Sequence, residues 1–325
     1  MRAVIPVAGI GSRLRPHTYT LPKVLINVAG KRIIGHIMDS LIEAGFTDVT
    51  VIVGYMGDMI EEYVSKHYKR TSVTYVEQEE RLGLGHAIYS ARHTYRREPI
   101  LIILGDTIFE LNLRTLTRSR YSTLGVRKVE DPRRFGVVET RKGFAKKLVE
   151  KPERPKSNLA LVGLYYIVNT PLLLECLDYE IERNIRTRGE FQLTDGLQLM
   201  IDRGEKMKVF EIDGWYDCGK PETLLDTNRH LLRRTATKHK IEGVVLNPPV
   251  YVSKHAKVSS SVIGPYTTIA EGAVVQDSVI RNSIVSEGAR VEKAMLDGSI
   301  IGNNATVSGS YKRVNVGDSS EIDFY

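Results

Sequence analysis

The apolar positions of this chain fall into two textures, with the change near residue 244. Before it, short apolar runs alternate with amphipathic stretches. Val4–Val7 reads as a buried strand. Ile33, Ile34, Ile37, Met38, Leu41 and Ile42 recur at i, i+3/i+4 spacing and predict a helix that stops at Gly45. Val49–Val53 predicts a strand, Met59–Tyr68 a helix, Val73–Val76 a strand and His86–Tyr95 a helix. Ile100–Leu104 is a continuous apolar run ending in Gly105-Asp106, the pattern of a central parallel strand covered on both faces. Strands alternating with helices imply an open α/β sheet whose ligands gather beyond the carboxyl ends of the strands.

From about residue 244 the helical spacing stops, and Gly, Ser and Asn surround regularly placed aliphatics. Val252 and Val258, Ile263 and Ile269, Val285 and Val291, and Ile301 and Val307 each stand six apart, with Ser-aliphatic triplets at Ser261, Ser278, Ser283 and Ser299. Such hexads mark a β-helix whose inward aliphatics stack coil on coil. The stretch resembles the left-handed parallel β-helix of the hexapeptide-repeat proteins, with about four coils. Glu222–Lys240 reads as one connecting helix, closed off by Gly243 and Pro248-Pro249. The expected domains are therefore 1–221, a linking segment 222–243, and a β-helix over 244–325.

Composition narrows the setting. With 325 residues, 42% hydrophobic and 26% charged, the chain has enough sequence for two globular domains. No apolar run approaches ~20 residues, so no membrane span is expected. Met1-Arg2-Ala3 leads straight into a strand, so no signal peptide is expected. The only cysteines, Cys176 and Cys218, fit a reducing compartment, and the cytoplasm is the expected location. Net charge is +7, yet residues 244–325 hold seven Lys/Arg against eight Asp/Glu, so the surplus is N-terminal. That suits phosphate-rich small substrates. Nucleic acid is the competing partner, but no basic stripe with interleaved aromatics supports it.

Residues 5–23, IPVAGIGSRLRPHTYTLPK, carry the chemistry. Gly9 and Gly11 let backbone N–H groups approach a polyanion, and Arg13, Arg15 and Lys23 supply countercharge. The full run resembles the phosphate loop of the sugar-1-phosphate nucleotidylyltransferases. These enzymes join a sugar-1-phosphate to the α-phosphorus of a nucleoside triphosphate and expel pyrophosphate. The obstacle is the meeting of two anions, which calls for a divalent metal and well-placed cations.

What the resemblance implies is specific. The fold would be an open, mixed but mainly parallel Rossmann-like nucleotidyltransferase sheet. Asp106 in LGDTIF and Asp217 in GWYDCGKPE match the family's metal aspartates, with Mg²⁺ the expected ion. Arg13 and Lys23 match its pyrophosphate contacts. Ala8, Gly9, Gly11, Ser12 and Arg13 match the nucleotide loop, and Gln78 and Gly83 the positions that read a pyrimidine edge. In VEKPERPKSNLALVGLYYI, Glu150 would accept from sugar hydroxyls and Lys151 would hold the sugar phosphate, with Gly163 and Tyr165 beyond. Gly136 and Glu190 match further sugar contacts.

The segments PKSNLALVGLYY, RGEFQLTD and GWYDCGKPE, with a tail near VGDSSEI, look like the long-form glucose-1-phosphate thymidylyltransferase branch. Ser12 replaces its usual Thr, while Ala8 and GLGHAI look like the UTP-using glucose-1-phosphate branch, so dTTP and UTP both stay open. Two other classes compete. One is a bifunctional nucleotidylyl/acetyltransferase making UDP-N-acetylglucosamine. The other is a non-catalytic subunit, which the presence of Arg13, Lys23, Asp106, Lys151 and Asp217 disfavours. A homo-oligomer is expected. Cys218 reads as packing, and His17, His86 and His255 form no metal spacing.

Overall fold

A computed structural model describes residues 1–95, 97–234 and 240–309. The chain divides into two compact units. One holds Met1–Asn27 and Lys31–Thr227; the other holds Val28–Gly30 and the described residues from Asn228 onward.

The first unit is built on nine strands in the order Ser72–Glu77, Asp48–Val53, Arg2–Pro6, Ile100–Ile103, Leu159–Ile167, Ser122–Lys128, Met207–Glu211, Phe144–Glu150 and Gly136–Arg141. The first four are mutually parallel. Leu159–Ile167 then runs antiparallel to Ile100–Ile103, and Phe144–Glu150 antiparallel to Met207–Glu211. These two strands oppose the other seven, so the sheet is mixed with one dominant direction. Ile100–Ile103 has a parallel neighbour on one side and an antiparallel one on the other, within the expected mixed, mainly parallel sheet. Its four residues are all buried, as the unbroken apolar run requires.

The amphipathic segments become helices Ile33–Glu43 and Gly57–His67. The helix expected over His86–Tyr95 is shorter: it spans Leu84–Ser90 and gives way to a 3-10 turn at Arg92–Thr94. Ser90 Oγ donates to the His86 carbonyl at 2.8 Å and Thr94 Oγ1 to the Ala91 carbonyl at 2.9 Å, bonds that compete with helix propagation. Tyr95 then turns into the core, its hydroxyl donating to the Ile88 carbonyl. The connecting helix spans Pro221–Leu232, ending before Lys240. The Arg234 N–H bonds back to the Leu231 carbonyl, and the part of the expectation at 235–239 lies outside the described residues.

In the second unit, successive short strands pass to three four-stranded parallel sheets in turn. Inward residues stack in registered ladders, as in Val252–Ile269–Val285–Ile301 and Val258–Val275–Val291–Val307. This is the arrangement of a parallel β-helix. The recurrent serines sit at its corners for a hydrogen-bonding reason. Ser261 Oγ accepts the Ser278 N–H at 3.1 Å, and Ser278 Oγ accepts the Ala294 N–H at 3.1 Å. A residue without a hydroxyl there would leave a buried N–H unpaired. The VGDSSEI tail lies outside the described residues.

Candidate active site

Parallel strands end together, and their loops build the site. Arg2–Pro6 delivers Ala8 to Ser12, Ser72–Glu77 delivers Gln78, and Ile100–Ile103 delivers Asp106. The two-stranded antiparallel sheet of Thr107–Glu110 with Gly214–Asp217 pairs Asp217 opposite Thr107. The Cys218 N–H then bonds to the Asp106 carbonyl at 2.9 Å. Two aspartates 111 positions apart in sequence therefore stand side by side. Both line a cavity of about 700 Å³ together with Arg13 and Gly163.

Lys23 is buried and its Nζ donates to Asp106 Oδ2 at 2.7 Å. Burial alone would raise the Asp106 carboxyl. The Lys23 charge and hydrogen bond, then Arg13 and Thr107, outweigh it and hold the group below the usual carboxylate range. Asp217 moves the other way: burial first and the Asp106 charge second raise it, with Lys23, Arg13 and the Gly219 N–H offsetting in part. Arg13 lies close, since a Cβ on Gly219 would meet Asp217 Oδ1 at 2.7 Å and Arg13 Nη2 at 3.1 Å. Two adjacent carboxylates, one of which raises the proton affinity of the other, are a donor set for a hard divalent cation. Oxygen ligands from phosphates and water would complete its shell. Burial pushes the neighbouring Cys218 thiol up to about 12, so it stays protonated and packs.

A second cluster surrounds Glu150. Its Oε1 pairs with Lys151 Nζ at 3.2 Å and its Oε2 accepts from Thr194 Oγ1 at 2.7 Å. Gly136 faces both, because a Cβ there would fall 3.0 Å from Glu150 Oε2 and 3.0 Å from Thr194 Oγ1. Gly163 takes φ +84, where the ladder beside it is irregular, and a Cβ would sit 2.6 Å from Leu104 Cδ1. Tyr165 is in the core and off the cavity wall. Burial, then the Glu150 and Asp106 charges, raise its hydroxyl.

A third cluster holds Gln78, Gly83 and Glu190. Gln78 Nε2 donates to the Gly83 carbonyl at 3.1 Å and contacts His86 Nδ1 at 3.2 Å, leaving Oε1 as the open acceptor among the described residues. Gly83 lies against Glu190 and Phe191: the Phe191 N–H bonds to the Leu82 carbonyl at 2.7 Å and the Gly85 N–H to the Phe191 carbonyl at 2.9 Å. Glu190 accepts from Gln192 Nε2 at 3.0 Å. Ala8 packs against Gly54, and nothing approaches within 4 Å of where a Gly9 Cβ would be. Gly11 accepts from Thr18 Oγ1 at 2.9 Å and leads into the turn Ser12–Leu14.

The sequence reading missed Thr194 and the cavity wall of Trp215 and Phe135, whose rings meet edge to face at 5.6 Å. Trp215 stands two residues before Asp217 on one strand, so alternation puts both on one face. Thr194 offered no such signal.

The sequence matches the family described as nucleotidyl transferase over residues 2–234, and the chain belongs to that family. It is similar to the glucose-1-phosphate thymidylyltransferase of Streptomyces griseus, 31% identical over 315 residues, 88% of this chain and 87% of that one. It is 36% identical over 261 residues to the bifunctional protein GlmU of Methanocaldococcus jannaschii, covering 79% of this chain and 61% of GlmU. A solved UDP-glucose pyrophosphorylase complexed with UDP-glucose aligns with a TM-score of 0.61 and 25% identity, over 72% of this chain and 98% of that one. The resemblance to sugar-1-phosphate nucleotidylyltransferases drawn from residues 5–23 thus holds for the chain. Enzymes of this family generally use a divalent metal ion. No helix among the described residues is long and apolar enough to cross a membrane.

Proposed function

We propose that this protein transfers the nucleotidyl group of dTTP or UTP to a sugar-1-phosphate, glucose-1-phosphate foremost, releasing pyrophosphate. The observation that carries the reading is the convergence of Asp106, Asp217 and Arg13 at one cavity, with Lys23 paired to Asp106. An oxygen of the sugar phosphate forms a bond to the α-phosphorus, and the bond from that phosphorus to the pyrophosphate oxygen breaks. No proton need be moved, because the phosphate monoester is already a nucleophile.

Asp106 and Asp217 would hold the metal, which we assign as Mg²⁺. When bound it offsets the negative charge between the two reacting phosphates. Arg13 and Lys23 neutralise the departing pyrophosphate. Lys151 clamps the sugar phosphate, and Glu150, Gly136, Gly163 and Glu190 shape the sugar site, with Tyr165 packed in the core behind them. Ala8, Gly9, Gly11 and Ser12 receive the triphosphate. Gln78 and Gly83 meet the pyrimidine, where the open Gln78 Oε1 can accept from its imide N–H.

The test is a panel of dTTP, UTP, CTP, ATP and GTP against glucose-, N-acetylglucosamine-, galactose- and mannose-1-phosphate. Pyrophosphate release would be followed with and without Mg²⁺. Pyrimidine triphosphates with glucose-1-phosphate should give the fastest release, and silence across the panel would end the reading. An acetylated product from acetyl-CoA and glucosamine-1-phosphate would instead favour the bifunctional class.

We assign residues 1–221 to catalysis, 222–243 to the connection, and 244–325 to a left-handed β-helix that serves assembly into a homo-oligomer in the cytoplasm. The support is an outward ladder, Val245–Val262–Val279–Met295, which displays Val245 at 56% and Met295 at 77% exposure. Another sheet turns outward Ser259, Gln276, Glu292 and Ser308 instead. An apolar stripe of this kind marks an interface. Val279→Glu with Met295→Glu should lower the mass measured by light scattering to that of the single chain; an unchanged mass would refute the assignment. The free, buried Cys176 and Cys218 fit a reducing compartment.

A further inference from the structure

Thr194 connects the Glu150 cluster to two acids behind it, the half-buried Asp195 and the buried Glu180. It lies in the opening turn of helix Leu193–Asp202, and its neighbour Asp195 carries a carboxyl oxygen with no hydrogen-bond partner among the described residues. At Gly196 this helix meets helix Thr170–Glu182 so closely that a Cβ would lie 2.8 Å from Leu177 Cδ2 and 3.5 Å from Glu180 Oε1. Glu180 is 0% exposed, and neither of its carboxyl oxygens has a partner among the described residues.

The surrounding charges do not neutralise this pair. Asp195 is the charge acting on Glu180, and Glu150, on strand Phe144–Glu150, acts on Asp195, to which the Thr187 hydroxyl also bonds. On Glu180's own helix, burial keeps the Cys176 thiol up at about 11. Helix Leu84–Ser90 brings His86, which contacts Gln78, and Tyr89, whose hydroxyl donates to Asp178. Arg203 pairs with Glu175 at 3.9 Å, and Arg186 lies over the Phe191 ring at 4.5 Å. A carboxylate sealed away from both cation and donor is strongly disfavoured against its protonated form.

We propose that Glu180 keeps its proton in the working enzyme and acts as a positioning residue for sugar-1-phosphate: its neutral carboxyl spares Asp195 a second negative charge and so leaves the adjoining Thr194 in place to fix Glu150. The inference rests on the reading of Glu150 as a sugar contact. Burial first, then the Asp195 charge, push Glu180 up to about 8. Ionisation sets the Glu180 and Asp195 carboxylates against each other, and Asp195 shares its helical turn with Thr194, so the repulsion acts on the turn that holds Glu150. Since the folded value lies above the ordinary one, the stability Glu180 contributes is full below the ordinary carboxyl range and is lost as pH rises through about 8.

Initial rates of the full chain from about pH 6.5 to about pH 9 test this, with glucose-1-phosphate and nucleotide varied separately. In the wild type the KM for sugar phosphate should rise roughly tenfold across that range, while the KM for nucleotide moves far less. Glu180→Gln, a neutral isostere, should flatten the rise. Its persistence in E180Q, or an equal rise in the nucleotide KM, would overturn the proposal. Infrared spectroscopy gives a readout independent of substrate. A carboxylic acid carbonyl band should be present at neutral pH, fade with a midpoint near 8, and be missing from E180Q. Glu180→Leu serves if E180Q does not fold. A protein inactive on every sugar phosphate would defeat the functional reading, whereas a missing infrared band would defeat this one.

Discussion

Asp106→Asn and Asp217→Asn should each reduce kcat by roughly a hundredfold or more, and together by at least about a thousandfold, because each removes charge aimed at the reacting phosphates. Their effects on stability should have opposite signs. Lys23 Nζ sits 2.7 Å from Asp106 Oδ2 and is buried, so Asp106→Asn leaves an ammonium without its counter-charge. The expected loss is about 1–3 kcal/mol. Asp217 carries the reverse balance, since burial and the Asp106 charge disfavour its ionised form. Asp217→Asn should therefore be neutral or stabilising by about 0.5–1 kcal/mol. Calorimetry with pyrophosphate-release kinetics on the same samples reads both quantities. If D217N melts well below the wild type, the account of the pair is wrong.

Gly83→Ala should be nearly as damaging, by a different route. Gly83 adopts φ +111, and a Cβ there would lie 2.5 Å from the Phe191 carbonyl oxygen and 2.8 Å from Glu190 Cβ. The backbone conformation alone costs an L-residue about 1–3 kcal/mol. The contact cannot be relieved cheaply, because Phe191 is held on both sides by backbone hydrogen bonds to Leu82 and Gly85. The loop must therefore part from the Glu190–Gln192 segment, moving the Gly83 carbonyl that receives Gln78 Nε2. The KM for nucleotide should rise about tenfold or more, with a smaller change in kcat. A melting point and nucleotide KM equal to the wild type's would show that the loop does not need this glycine.

Much of the architecture was legible because burial leaves strong marks on sequence. Ile100–Ile103 had to be a covered strand, and the hexads from Val252 onward had to stack. The glycine and cation run at 5–23 carried the family. The antiparallel strand Leu159–Ile167 was another matter: its nine residues are apolar throughout, and an unbroken apolar run does not encode direction. The break after Ser90 depended on side-chain hydroxyls bonding back to the helix, which periodicity does not register. In the site, residues with a chemical reason to be near phosphate stood out. Thr194 did not, since its role is a single hydrogen bond to Glu150 across 44 positions. Glu180 was equally silent, because its burial depends on the packing of one helix against another at Gly196.

The coiled second unit has a consequence for length. Its strands pair at offsets of 17 residues, as from Val244 to Ser261, or 16, as from Val274 to Arg290. Each storey rests only on the ones directly above and below it. Such a column can gain or lose a complete storey without disturbing the registers of those that remain, whereas an insertion of any other size must bulge out at a corner.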